Sequence, residues 1–269
     1  GAPSVPRRAL APSAGPRGEL GGRAAVTAVG GAVASPCRFR VDQSATTAAL
    51  FGESLGQGAR GMAMYAPRYL TAARNLTHRH GVHLIADEIM TGFGRTGTMF
   101  ACEQAAITPD FLCLSKGITG GYLPLSCVLA TDDVFDAFYD DDVRRGFLHS
   151  HSYTGNALAC RAALAVLDIF RDDGIIAANR ETALRWRRMA EPLTAHRRVR
   201  KFRQCGMILA FDVDAEHEVF AQQFQNEALQ RELLLRPIGS TVSFLPPYTM
   251  TYDEFALLVE RTIDVLDVC

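Results

Sequence analysis

Apolar residues come in two rhythms along this chain, and the order of the rhythms defines its elements. Short, mostly apolar runs at Val82–Ala86 and Phe111–Leu114 read as buried strands, and Leu125–Ala130 reads as another strand. Between and after them, apolar positions recur at helical spacing. One such stretch starts at Pro67, runs to about His80 and presents Tyr69, Leu70, Ala73 and Leu76 on one face. Pro67 suits a first helical turn and Gly81 ends the pattern. A short helix is predicted over Met99–Ala106 and another over Asp132–Tyr139. An alanine-rich helix follows from Asn156 or Ala157 to Phe170. Alternation of strand and helix predicts an α/β fold with a mostly parallel sheet.

The second part of the chain has a different order. Helix Ile175–Met189, strand Gly206–Val213, helix Glu218–Glu232 and strand Val242–Leu245 lead to a last helix. Thr251 and Glu254 open that helix with capping-box spacing. This order predicts a small α+β C-terminal domain. The glycine-rich FGESLGQGARGMAM reads as a loop. The arginine-rich segment His196–Arg203 reads as a solvated connection, and its basic cluster with Phe202 lacks the companion motifs of RNA binding. Residues 1–50 are rich in Gly, Pro, Ala and Arg and hold no sustained period, which predicts a disordered low-complexity segment. The expected division is therefore 1–50, 51–173 and 174–269.

Composition narrows the class. A formal net charge of -1 gives no global attraction to nucleic acid or a membrane surface, and no apolar run reaches a spanning length. Seven cysteines form no CxxC pair, as expected of free thiols in a reducing compartment. His149, His151 and Cys160 do not complete a metal-ligand pattern. Only Lys116 and Lys201 among the 28 basic residues are lysines. A primary amine can condense with an aldehyde, whereas a guanidinium cannot.

Candidate chemistry sits at two strand ends. The first apolar run stops at Asp87, and the second at Ser115 and Lys116. Open α/β sheets present functional groups in this way. A buried carboxylate and a buried amine each need a partner. A cofactor with a protonated ring nitrogen and an aldehyde, pyridoxal phosphate, would serve both. Gly117, Gly120 and Gly121 lack nucleotide-fingerprint spacing. The loop Ser150–Asn156 enters a helix N-terminus and could hold a phosphate or simply cap the helix. Arg236, before Pro237, could grip a carboxylate at two points or lie idle on the surface.

The run LIADEIMTGFGRTGTMFACEQAAITPDFLCLSKGITGGYLPLS resembles the core of the class III, fold type I, pyridoxal phosphate-dependent aminotransferases. FLHSHSYTGNALACRAALAVLDIF and LLRPIGSTVSFLPPYTMTYDEF resemble later family segments, so the resemblance runs from about Leu50 to the C-terminus. It implies part of the family's large domain followed by its small domain. It implies that Asp87 meets the pyridine nitrogen and Lys116 the aldehyde. Ser152, with His151, would reach the phosphate of a partner subunit in a homodimer. Glu53 and Gln57 would lie beside the cofactor, and Arg236, Gly121 and Tyr122 beside substrate. Ser54 and Ser243 depart from the family pattern. The subfamily indicated moves an amino group from S-adenosylmethionine to 8-amino-7-oxononanoate in two half-reactions in the cytoplasm. Another donor (an amine, ornithine or 4-aminobutyrate) and an inactive fragment are the alternatives. The family's N-terminal half, which cups the phosphate and stacks on the ring, has no counterpart in residues 1–50.

Overall fold

The computed structural model describes residues 25–28, 47–149, 151–215 and 217–269. In chain order the elements are β1 (Ala25–Ala28), β2 (Thr47–Glu53), β3 (Gly56–Gln57), β4 (Ala63–Met64), α1 (Pro67–Arg79), β5 (His83–Asp87), β6 (Phe111–Leu114), β7 (Cys127–Ala130), α2 (Asp132–Asp136), α3 (Ala157–Asp172), α4 (Ile175–Met189), α5 (Glu191–Ala195), β8 (Val199–Cys205), β9 (Ile208–Val213), α6 (His217–Gln230), β10 (Thr241–Phe244) and α7 (Tyr252–Val268). A five-stranded sheet runs β1-β2-β5-β6-β7, and a three-stranded sheet runs β10-β9-β8. In the larger sheet β1, β2, β5 and β6 are parallel and β7 is antiparallel.

Local chemistry explains the elements that the pattern located. Pro67 fills the first turn of α1, where its missing N–H costs nothing. The Thr251 hydroxyl accepts from Glu254 N at 3.2 Å while Glu254 Oε2 accepts from Thr251 N at 2.7 Å, closing the expected capping box of α7. Asn156 Oδ1 accepts from Ala159 N at 3.0 Å and starts α3. The Met99–Ala106 stretch is tighter than expected, a 3-10 segment over Ala101–Ala105. Its first amides, Ala101 N and Cys102 N, donate to the fully buried Glu88 carboxylate at 2.5 and 2.7 Å. Burial pushes the Glu88 carboxyl up from its ordinary value, and the two amides pull it part of the way back.

Three expectations are corrected. The glycine-rich stretch is not all loop: β2 occupies Thr47–Glu53, and β3 and β4 form a short hairpin. Two strands, β1 and β2, begin before the point where the pattern predicts order, and the rest of 1–46 lies outside the described residues. The basic segment is not a solvated connection either. Val199–Cys205 is strand β8, paired antiparallel with β9. Arg203 bonds to Asp212 at 2.8 Å and to the Met62 carbonyl at 2.9 Å, and Arg200 reaches Asp214 at 3.2 Å. The neutralising carboxylates come from β9 and its end, so no local window of sequence contains the whole arrangement.

Two apolar cores flank one junction. Trp186, Phe211, Phe224, Phe244, Phe255 and Leu266 fill the C-terminal unit, with Trp186 stacked on Phe255 at 4.6 Å. Ala86, Phe93, Leu112, Leu114, Ile118 and Ala163 pack beneath the larger sheet. The turn Thr91–Gly97 joins them. Its carbonyls accept from Asn179, Arg180, Met207 N and Tyr248, all in the second part of the chain.

Asp110 pins α1 to the sheet. Its carboxylate accepts from Arg74 at 2.6 Å and from Leu84 N at 2.7 Å. Burial alone would raise this carboxyl, but Arg74 and the Leu84 amide outweigh it and hold the group below its ordinary value. A carboxylate lowered on folding stabilises fully above its unfolded pKa and loses that contribution as pH falls through the folded value. Asp110→Asn is expected to cost about 1.5–3 kcal/mol near neutrality. Urea melts from pH 7 to pH 3 should show wild type converging on the variant below about pH 4. An equal gap at both ends of that range would contradict this account.

Candidate active site

Parallel strands end on the same edge of their sheet, so their C-terminal residues meet. The register places Glu53 opposite Asp87, and Asp87 opposite Cys113. Neighbouring strands lie about 4.8 Å apart. Lys116 follows Cys113 by three residues, at the start of a 3-10 turn over Lys116–Thr119. Glu53, Asp87 and Lys116 therefore share one edge. Electrostatics agrees. Burial raises the Glu53 carboxyl above its ordinary value, the Gly58 amide lowers it, Asp87 adds to the rise and Lys116 opposes it. Glu53 is held in place by Gly58 N, which donates to Oε2 at 2.7 Å, and by Tyr65, whose hydroxyl donates to its carbonyl.

The backbone at Lys116 is unusual. Its φ is 49°, in the left-handed region that side chains rarely adopt. Such a residue costs on the order of 1–3 kcal/mol unless its surroundings hold it. Ser115 Oγ donates to the Leu125 carbonyl at 2.8 Å on one side. On the other, Gly117 lies directly on Phe93: a Cβ at Gly117 would stand 2.9 Å from Phe93 Cβ. Phe93 is itself left-handed, with φ 55°, and almost fully buried.

The other expected site residues fall into three places. Gln57 lies in β3 beside Gly58, close to the Glu53 contact. His151 lines an open cleft of about 670 Å³ with Ser115, Ser126, Tyr153, Thr154 and Asn156. Ser152 is exposed in the same loop, and Ser150 lies outside the described residues. The loop is shaped by its own bonds, His151 N to the Thr154 hydroxyl and Tyr153 N to His151 Nδ1, both at 3.2 Å. Gly121 has φ 88° and Tyr122 is exposed at the cleft's rim segment. Arg236 belongs to the C-terminal unit, is exposed, and has no ion pair among the described residues. Sequence reading missed Phe93, Arg95, Glu88 and Tyr248. Phe93 and Arg95 stand in GFGRTG, Glu88 directly after Asp87 and Tyr248 in LPPY, but no local feature marks them, because their roles depend on partners up to 155 residues away.

The donor set suits a pyridoxal phosphate. Asp87 Oδ1 accepts from Ile89 N at 3.0 Å, while Oδ2 has no hydrogen-bond partner among the described residues. Lys116 Nζ has neither a hydrogen bond nor an ion pair among them. A carboxylate oxygen and a primary amine are thus both available on one sheet edge, the pair that a pyridinium nitrogen and an aldehyde call for.

This fold, with a mixed sheet carrying its charged edge and a smaller antiparallel unit, is that of fold type I pyridoxal phosphate-dependent transferases. Among solved structures, an adenosylmethionine-8-amino-7-oxononanoate aminotransferase from Methanocaldococcus jannaschii superposes with a TM-score of 0.79 at 28% identity, over 85% of this chain and 55% of that one. An amine transaminase from an uncultivated Pseudomonas species superposes at 0.78 with 32% identity, over 86% and 55%. The chain belongs to the class-III aminotransferase family, whose model matches residues 37–266. The adenosylmethionine-8-amino-7-oxononanoate aminotransferase of Helicobacter pylori is 43% identical over 225 residues, 81% of this chain and 52% of the relative. That of Nitratidesulfovibrio vulgaris is 41% identical over 219 residues, 77% and 40%. The chain thus spans about half the length of the curated relatives it matches. The family's cofactor is pyridoxal 5'-phosphate.

Proposed function

We propose that this chain carries the amine-bearing edge of an aminotransferase that moves an amino group from S-adenosylmethionine to 8-amino-7-oxononanoate, giving the diamine used in biotin synthesis. The observation that carries it is the unpaired Lys116 amine on the same sheet edge as Asp87, in a chain 43% identical to a relative of that name. When bound, the cofactor supplies an aldehyde for amines and an electron-withdrawing ring. Lys116 Nζ holds that aldehyde and, once displaced, moves a proton to and from the substrate carbon. Asp87 Oδ2 keeps the ring nitrogen protonated. Glu53 and Gln57 border the ring. Arg236 takes a substrate carboxylate, and Gly121 and Tyr122 border the substrate. Ser152 and His151 hold the phosphate across a homodimer interface.

An exposed apolar face supports the dimer. Val128 and Leu129 on β7, Phe135 and Phe138 in and just after α2, and Leu158 and Leu164 on α3 are exposed here, the kind of apolar surface that a partner subunit covers. The proposed division is a large-domain part running to 173, whose sheet takes in β1 and β2 before the expected boundary at 51, and a small domain over 174–269. Six described cysteines are free, in keeping with a reducing compartment such as the cytoplasm. Among the described residues no helix is long and apolar enough to cross a membrane.

The test is incubation with pyridoxal phosphate, borohydride reduction and peptide mapping. Cofactor should be fixed on Lys116, and absence of that adduct overturns the proposal. The second reading, an amine transaminase, is favoured by the likeness to the Pseudomonas structure. Assays with S-adenosylmethionine, simple amines, ornithine and 4-aminobutyrate as rival donors separate the two. S-adenosylmethionine is expected to lead, and an amine donor leading would replace the first reading by the second.

A further inference from the structure

The C-terminal unit touches the Lys116 region through a short chain of contacts. The Tyr248 hydroxyl donates to the Phe93 carbonyl at 2.7 Å. The Arg95 guanidinium lies over the Tyr248 ring at 4.4 Å and donates to the Pro246 carbonyl at 2.6 Å, so the ring is held from above. Phe93 is confined by Phe100 and Phe170, with ring centroids at 5.8 and 6.3 Å. Its side chain is the floor on which Gly117 rests. Gly117 follows Lys116, whose backbone is left-handed.

We infer that Tyr248 is a positioning residue for Lys116. By fixing the Phe93 carbonyl it fixes the Phe93 side chain under Gly117, and that contact holds the Lys116 backbone in its left-handed form. The inference rests on the reading of Lys116 as the amine that meets the cofactor aldehyde. The reasoning is steric. A lysine reverts to an ordinary backbone conformation when nothing prevents it, because its Cβ crowds the following carbonyl in the left-handed form. Prevention here comes from the two sides already described, Ser115 tied to Leu125 and Gly117 pressed on Phe93. Of these, only the Phe93 side is tied to the C-terminal unit. Release of the Phe93 carbonyl lets Phe93, also left-handed, relax first. Gly117 then loses its floor, and the amine swings off the edge that Glu53 and Asp87 share.

The chain's two lysines supply the experiment. Lys201 is exposed beside Asp212, at 3.5 Å, and serves as the internal reference. The full chain is treated with pyridoxal phosphate and cyanoborohydride, and modification of each lysine is followed by peptide mapping across pH. Wild type should modify Lys116 ahead of Lys201. Tyr248→Phe should lower the Lys116 rate about fivefold, the worth of one hydrogen bond. The Lys201 rate should hold, and the melting temperature should fall by only about 2–4 °C, the share of that one hydrogen bond. A role confined to packing would move the melting temperature and leave the ratio of the two lysines alone. If Tyr248→Phe unfolds the chain, Phe93→Ala decides, since it removes the Cγ and Cδ2 atoms beneath Gly117 and leaves Tyr248 in place. It should give the same selective loss. An unchanged ratio in the folded variant overturns the inference. No preference for Lys116 in wild type overturns the underlying reading of Lys116 instead, so the two failures are told apart.

Discussion

Lys116→Ala is expected to abolish covalent capture of pyridoxal phosphate at the sheet edge, leaving only slow modification of the exposed Lys201. Lys201 is the only other lysine in the sequence and stands exposed beside Asp212 on β8, so it does not take the place of Lys116. Amino transfer by the complete protein should fall by about 10²–10⁴-fold or more, the usual worth of a positioned proton-transfer group. Lys116→Arg should fail equally, because a guanidinium keeps the charge but does not condense with an aldehyde. Asp87 would remain to bind the ring nitrogen, so non-covalent cofactor binding should weaken rather than vanish. Absorbance after borohydride reduction, together with peptide mapping, reads the first effect. Undiminished amino transfer in either variant would remove Lys116 from the mechanism.

Gly206→Ala is expected to open the junction between the two cores. Gly206 has φ +57°, and a Cβ there would lie 2.5 Å from the Arg95 carbonyl oxygen and 2.5 Å from the Thr96 carbonyl carbon. Both are backbone atoms of the turn that carries Phe93 and Arg95, and they cannot rotate away. The close approach is set by Met207 N donating to the Arg95 carbonyl at 2.8 Å. A left-handed alanine costs about 1–2 kcal/mol, and overpacking adds about 1–3 kcal/mol. Gly174 provides the comparison: its φ is +62°, but nothing lies within 4 Å of its would-be Cβ. Gly174→Ala should therefore cost only the backbone strain. Urea denaturation of both variants reads the difference, and equal losses would show that crowding at the turn has been overstated. Because the same turn holds Phe93 under Gly117, Gly206→Ala should also lower Lys116 modification.

Much of this architecture was legible along the chain. The run ending at Asp87, the run ending before Lys116 and the capping box at Thr251 each need only neighbours within a few residues, and each lies where the pattern places it. Strand β8 was illegible because its charges are answered from β9, across a hairpin. The β2 strand was illegible because Gly52 interrupts it and a glycine-rich stretch follows Glu53, and it is held by parallel pairing with β1 and with β5, the latter some 34 residues away in register. Tyr248 gave no local sign of its contact with Phe93, since a proline-flanked tyrosine has many possible partners.

By itself, the sequence determined the two runs that end at Asp87 and just before Lys116, the start of the helix at Pro67 and the capping box at Thr251, because periodicity and end signals are local properties of the backbone. It also determined that one amine, set apart in a chain otherwise supplied with arginine, stands at a strand end. Only the tertiary structure decided that Glu53, Asp87 and Lys116 share an edge, because that depends on parallel pairing between strands separated by helices and turns. It alone decided that Lys116 is held left-handed over Phe93. A strained backbone angle persists only when surrounding groups hold it in place, and those groups, Phe93 and Leu125, lie outside the run that ends before Lys116.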